Sequence, residues 1–183
     1  MRVYLRNLLA GFVAVLLCVV AFGMIYPAAV WGISRITPKS AEGNLVYRGE
    51  CLVGSSQIQD GLEDGPYFFA RAEGMSNYGT SSTELEKAIR ERREEVAQRE
   101  GVSVEQVPAD AVTGSGSGVD SGISPEYAEL QAPRVAREQG MRVEDVKKLI
   151  ADNTEHASLG FLGEDTINVT TLNIALPTPT PCP

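Results

Sequence analysis

Residues 107–140 read VPADAVTGSGSGVDSGISPEYAELQAPRVAREQG, and their short polar residues, glycines and prolines decide how the rest of the chain is organised. The run invites two chemical readings, and its spacing excludes both. In Gly114-Ser115-Gly116-Ser117-Gly118 the centre of the alternation is glycine, so neither serine has glycines two positions before and two after it, as a nucleophile elbow requires. A phosphate loop needs Lys-Ser or Lys-Thr after its last glycine; here Val119 and Asp120 follow Gly118, and a carboxylate repels phosphate. The dinucleotide fingerprint needs a third glycine at 119 or 121, where Val119 and Ser121 stand. What the residues do support is a tight loop that launches a helix. Ser124 is its N-cap, Pro125 takes the first helical position, and Gly140 is the stop. Pro133 interrupts the pattern and predicts a kink, or two short helices meeting near Ala132.

On the N-terminal side, the spacing predicts a helix from Leu85 to Glu100, with Leu85, Ala88, Ile89 and Val96 on its apolar side and Gly101 as stop. Ser81 with Glu84, or Thr83 with Glu86, has the spacing of a capping box. The loop before it, from Arg71 to Thr83, is rich in turn formers. Gly43 to Gln59 reads as two short strands turning near Arg48-Gly49, and Tyr67-Phe68-Phe69 is a third short apolar run. On the C-terminal side, Val143 to Ala151 is an amphipathic helix. Ile167 to Leu176 reads as a strand whose alternation slips near Thr171, and Pro177 to Pro183 as an extended tail. Short strands mixed with helices, without regular strand-helix repeats, predict an α+β domain.

The first part of the chain is different. Leu8 to Ile33 holds 26 residues without a charge, which as a helix extend about 39 Å, more than the ~30 Å of a bilayer core. Pro27 is expected to end or kink the helix, leaving Leu8 to about Tyr26 as the spanning part. A cleaved signal peptide and a lipid anchor at Cys18 are the competing readings. The apolar stretch exceeds a signal core, and Cys18 lies mid-span after Leu17. The expected organisation is a basic N-terminus at 1–7, a single transmembrane helix at 8–33, a small mixed α+β soluble domain at 34–176 and a proline-rich tail at 177–183.

Two of the 16 basic residues and none of the 24 acidic ones fall in the first 34 positions, leaving the remainder at net −10. That balance argues against nucleic acid, whose binding relies on basic groups displacing counterions from phosphates. The helix pair from Val135 to Ile150 has the outline of a helix-turn-helix, but Glu144-Asp145 open its second helix, where base contacts would be made. Cys18, Cys51 and Cys182 are too few and too scattered for a disulfide scaffold or a zinc site, although Cys51 and Cys182 can pair if the domain lies outside the cytoplasm. His156 is the one histidine, so a metal would have to rely on carboxylates, and no calcium-loop spacing is present. Arg2 and Arg6 before the span are nearly balanced by Arg35, Lys39 and Arg48 after it, so charge does not fix the orientation.

Over essentially its full length the sequence resembles the KdpC family, the small single-span subunits of Kdp potassium-transporting P-type ATPases. The resemblance rests on Tyr26-Pro27 at the end of the span, Val53-Gly54-Ser55-Ser56, Tyr67-Phe68 with Arg71, and Gly74-Met75-Ser76-Asn77. It is strongest in Val107-Pro108 through Thr113, Ser115 to Gly118 with Asp120, Ile123-Ser124-Pro125, Gln131 with Pro133-Arg134-Val135-Ala136, and Asn168-Val169 through Asn173 to Leu176. The chain departs from the family at Ile58-Gln59-Asp60 and at Arg71-Ala72-Glu73, so no role is carried over to Gln59 or Glu73.

The resemblance implies an accessory subunit, without catalytic residues of its own, in a membrane complex that hydrolyses ATP to import potassium. The implied partners are a channel-like potassium-binding subunit, the ATP-hydrolysing P-type subunit and a very small lipid-facing subunit. The family is described as a catalytic chaperone that raises the pump subunit's ATP affinity. ATP and potassium are therefore handled by the complex, with no cofactor or metal held by a motif of this chain. By the family's arrangement the protein sits in the cell membrane with its acidic domain outside the cytoplasm. The residues expected to fix domain shape or touch another subunit are Arg71, Ser76, Asn77, Ser115, Ser117, Asp120, Gln131, Arg134, Asn168 and Asn173. The alternatives are a membrane-anchored binding module and a tethered hydrolase using Ser115 or Ser117, for which His156 would be the sole imidazole base.

Overall fold

The uncharged run builds one continuous helical rod: α1 spans Arg2–Val20, a π turn covers Ala21–Ile25, and α2 spans Tyr26–Ser34. The computed structural model describes residues 1–59, 62, 64–71, 78, 79 and 81–178. Arg2–Ser34 is long and apolar enough to cross a membrane. Of the two expectations for Pro27, an end to the helix is not met, since α2 runs on through it to Ser34. The Tyr26 N–H bonds the Ala21 carbonyl, five residues back, so the hydrogen-bond ladder has already slipped before the proline ring arrives. Arg35 lies over the Trp31 ring at 5.6 Å, and a short α3 at Pro38–Ala41 follows. These residues form a compact unit, Met1–Asn44, distinct from a second, Leu45–Pro183.

The second unit begins with the expected hairpin. Strands β1 (Leu45–Arg48) and β2 (Cys51–Ser55) pair antiparallel with an irregularity between Val46 and Tyr47, and Gly49 takes the positive φ of +62° that the turn needs. Cys51 on β2 is disulfide-bonded and Cys18 is free. Cys182 and the rest of 179–183 lie outside the described residues, as do Ser76 and Asn77.

Helix α4 (Thr83–Glu100) is capped by Ser82, whose Oγ accepts the Leu85 N–H at 3.2 Å, rather than by Ser81 or Thr83. It ends at Gly101 in the left-handed region, as expected. Of the predicted stripe Val96 is buried and Ile89 packs partly buried against the core, and Ala97 joins them. After a short α5 (Ala109–Val112) and β3 (Gly122–Ile123), helix α6 spans Pro125–Gln139 with Ser124 as N-cap, the Tyr127 N–H reaching Ser124 Oγ at 3.0 Å. Pro133 lies inside α6, which stays one helix rather than two. Pro133 and Glu129 are both exposed, so water reaches the carbonyl that the missing N–H leaves free, while the opposite side buries Ala132, Val135 and Ala136.

Helix α7 (Val143–Asp152) buries Val146 and Ile150. The predicted strand at 167–176 is mostly helix: β5 covers Thr166–Asn168 only, and α8 takes over at Val169–Ile174. The cause is Asn168, whose Oδ1 accepts the Thr171 N–H at 3.1 Å and starts a helix where the alternation slips. With β4 (Thr154–Glu155), β5 forms a three-stranded antiparallel sheet of order β3-β5-β4. The core packs α6 against this sheet and its neighbours, with Phe68, Tyr127, Val135, Val146, Ile167 and Leu172 almost fully enclosed. The architecture is the expected one, a long apolar helix followed by a small α+β domain.

Candidate functional site

Gly65–Phe69 belongs to no helix or strand, yet Tyr67, Phe68 and Phe69 are buried. A buried backbone must have its polar groups met, and here side chains meet them. Asn173 on α8 accepts the Phe68 N–H at 2.8 Å through Oδ1 and donates Nδ2 to the Phe68 carbonyl at 2.9 Å. Gln131 on α6 does the same for Phe69, at 2.7 and 3.1 Å. Arg134 donates to the carbonyls of Gly65 at 3.3 Å and Tyr67 at 2.9 Å, and Gln139 to that of Pro66 at 2.8 Å. Every carbonyl from 65 to 69 is thus held by a side chain of α6 or α8. The two amides imitate the paired bonds of a β ladder, with no strand among the described residues pairing with this segment.

Arg134 is also the centre of a charged cluster. Its Nε donates to Glu100 at 2.9 Å and its Nη1 to Glu138 at 3.2 Å. The Glu100 side chain is fully buried and also receives Arg99 Nε at 2.8 Å, so two guanidiniums share one carboxylate. Both lie over the Phe69 ring, Arg99 at 4.6 Å and Arg134 at 4.5 Å. Arg99 further donates to the Tyr127 hydroxyl at 2.8 Å. Burial pushes the Tyr127 phenol above its ordinary value, an effect only partly opposed by Arg99. For Arg99, burial acts downward, but Tyr127 and Glu100 outweigh it and hold the guanidinium above its usual value. A cavity of about 530 Å³ opens beside this cluster, lined in part by Pro66, Phe69, Arg99 and Glu138.

The remaining expected residues fall in a second group. Arg71 pairs with Asp120, whose Oδ1 also accepts the Gly122 N–H at 3.0 Å. Ser115 is almost fully buried; its Oγ lies 3.4 Å from that of Ser117 and accepts the Asp120 N–H at 3.5 Å, while Ser117 Oγ takes the Val119 N–H at 3.3 Å. These hydroxyls close their own loop. His156, the imidazole a tethered hydrolase would need, faces Asp165 at 2.9 Å. Asn168 donates to the Ser56 carbonyl and to Ser121 Oγ at 2.9 Å, and Thr170 Oγ1 to the Ile58 carbonyl at 3.2 Å, so the chain leaving the hairpin is tied to β5 and α8.

The structure therefore gathers Gln131, Arg134 and Asn173 on one segment, and Arg71, Ser115, Ser117 and Asp120 around one loop. Sequence reasoning missed Arg99, Glu100 and Tyr127. One signal was present: Glu100 is an acid at the last position of a helix, where the dipole disfavours negative charge, and such a residue calls for a cationic partner.

One helix long and apolar enough to cross a membrane, among the described residues, ahead of a small α+β domain is the build of a single-span membrane protein. A family model described as the c chain of the K⁺-transporting ATPase matches residues 8–178, and the chain belongs to this KdpC family. It is 39% identical to the potassium-transporting ATPase KdpC subunit of Kineococcus radiotolerans, covering 94% of this chain and 93% of the relative. Against the subunit of the same name from Beijerinckia indica the identity is 37%, with 94% and 93% covered. Against that from Polynucleobacter asymbioticus it is 35%, with 96% and 98% covered.

Proposed function

We propose that this chain is a non-catalytic assembly subunit of a potassium-transporting ATPase, anchored in the membrane by one helix and acting through contacts of its folded domain. The observation that carries this reading is the use of Gln131, Arg134, Asn168 and Asn173, which spend their polar groups on the chain's own backbone. Residues so engaged set a shape. The partners of that shape are the channel-like potassium-binding subunit, the ATP-hydrolysing subunit and the very small lipid-facing subunit that the family resemblance implies. A rise in the pump's ATP affinity then passes through the complex, as a coupling free energy between conformational states.

On this reading the domain lies outside the cytoplasm. The disulfide at Cys51 supports that side, because cytosolic thiols are kept reduced. There the acidic surface raises the local concentration of cations modestly, in a salt-screened manner.

The test is Arg134→Ala in the full chain, expressed with the complex and recovered through a tag on the ATP-hydrolysing subunit. Recovery of the chain is expected to fall about tenfold, equivalent to ~1.4 kcal/mol, with ATPase activity per recovered complex little changed. Full recovery accompanied by lost ATPase activity would overturn the assembly reading.

A further inference from the structure

We infer that the loop Ser158–Gly163 is a preformed apolar plug that seats in an apolar socket with a basic rim on another subunit of the complex; this rests on the assembly reading above. Leu159, Phe161 and Leu162 are 82%, 74% and 54% exposed, three large apolar side chains within four residues. Scattered apolar residues on a surface are ordinary, but a contiguous apolar tip rimmed by polar groups marks an interaction site.

The loop is also built rather than slack. Ser158 and Leu162 exchange two backbone hydrogen bonds of 2.9 Å, and the Gly160 N–H bonds the Ala157 carbonyl at 2.9 Å. Beneath them Asp165 clasps the base, accepting the Ala157 N–H at 2.9 Å through Oδ1 and meeting His156 Nδ1 at 2.9 Å through Oδ2. Leu159 holds a φ of +58°, a conformation that disfavours any residue with a Cβ. Local backbone strain of this kind gathers at binding sites, where the surrounding bonds over-determine it. An ordered tip has less entropy left to lose on docking than a flexible one.

Charge selects the occupant. Glu155, Glu164 and Asp165 flank the tip, with His156 as the one basic residue among positions 154–165. Glu164 and Asp165 share a cavity of about 220 Å³ with Asp110 and Asp120, where the guanidinium present, Arg71, is already paired. Such a rim repels an anionic bilayer surface and an identical acidic rim on a second copy. It is complementary to Lys and Arg around an apolar depression.

The experiment uses the full chain in its assembled complex, with a benzophenone amino acid in place of Phe161. Irradiation is expected to join it to a peptide of another subunit that contains Lys or Arg; adducts with lipid or with a second copy, or none, overturn the plug. In parallel, Phe161→Asp with Leu162→Ser should lower recovery with the complex about tenfold, Glu164→Lys should lower it too, and Val104→Ser, an exposed apolar control, should not. Circular dichroism melting of each variant is expected to match the parent, which separates lost docking from lost folding. If the parent co-purifies and the plug variants co-purify equally, the plug fails and the assembly reading stands. If the parent itself does not co-purify, both fall.

Discussion

Gln131 holds both polar groups of the Phe69 backbone, taking its N–H at 2.7 Å and donating to its carbonyl at 3.1 Å, although 62 positions separate the two residues. Gln131 is fully buried, so no water stands ready to replace it. Gln131→Leu keeps a comparable volume and leaves two buried backbone groups unmet, a loss of about 2–4 kcal/mol. Urea unfolding of the detergent-solubilised chain, followed by far-ultraviolet circular dichroism, is expected to show the lower midpoint. An unchanged midpoint would mean the pair does not support the segment.

Arg134 has a geometric task that charge alone does not fulfil. A lysine retains the cation but lacks the fork that reaches Glu100, Gly65 and Tyr67 together. Arg134→Lys is expected to cost ~1–3 kcal/mol. Arg134→Ala leaves buried Glu100 with Arg99 alone, and its cost rises to about 3–5 kcal/mol. The same unfolding measurement ranks parent, lysine and alanine in that order.

Asn168 serves two elements at once, and two substitutions separate them. Asn168→Asp keeps an acceptor for the Thr171 N–H but loses the donor to Ser56; Asn168→Ala loses both. Alanine is expected to destabilise by about 1–2 kcal/mol through the lost cap, with the undonated Ser56 carbonyl added to it. Aspartate should fall between alanine and the parent. Hydrogen exchange at residues 169–174 reports the cap, and exchange in 51–59 reports the tie to the hairpin.

The phenol of Tyr127 gives a pH readout. Burial raises its pKa above the ordinary 10.0, so the folded state binds its proton more tightly than the unfolded state does. Its contribution to stability is therefore fully present below pH 10 and is lost as pH rises through the folded-state value. Tyr127 is expected to ionise above the ordinary tyrosine value in a titration followed at 295 nm, and Tyr127→Phe should remove that late component.

The legible parts of the fold are those governed by local chemistry. Ser124-Pro125 and Gly140 bound α6 as read, because a cap and a left-handed stop act within one turn of the chain. The hairpin around Gly49 follows for the same reason. Pro133 was misleading because its effect depends on which side of α6 faces water, a tertiary fact. Residues 169–174 read as a continuation of the strand because the alternation on both sides of Asn168 masks the cap it provides. Of the candidate site, Arg134, Gln131 and Asn173 were visible through their family motif. Their common target, Gly65–Phe69, was not, since bonds from side chains to a distant backbone leave no periodic trace in sequence.

The bond between Phe68 and Asn173 closes over 105 positions, and Asn173 lies near the end of the chain. During synthesis, the segment at 65–69 emerges long before the groups that satisfy it. Phe69 then waits as unpaired apolar chain until Gln131 of α6 has been made, and Phe68 until Asn173 of α8 has, the condition that exposes slow, non-local topologies to aggregation. The residue that locks this segment is thus made long after it, and a chain interrupted ahead of Asn173 leaves Phe68 without the side chain that meets its backbone.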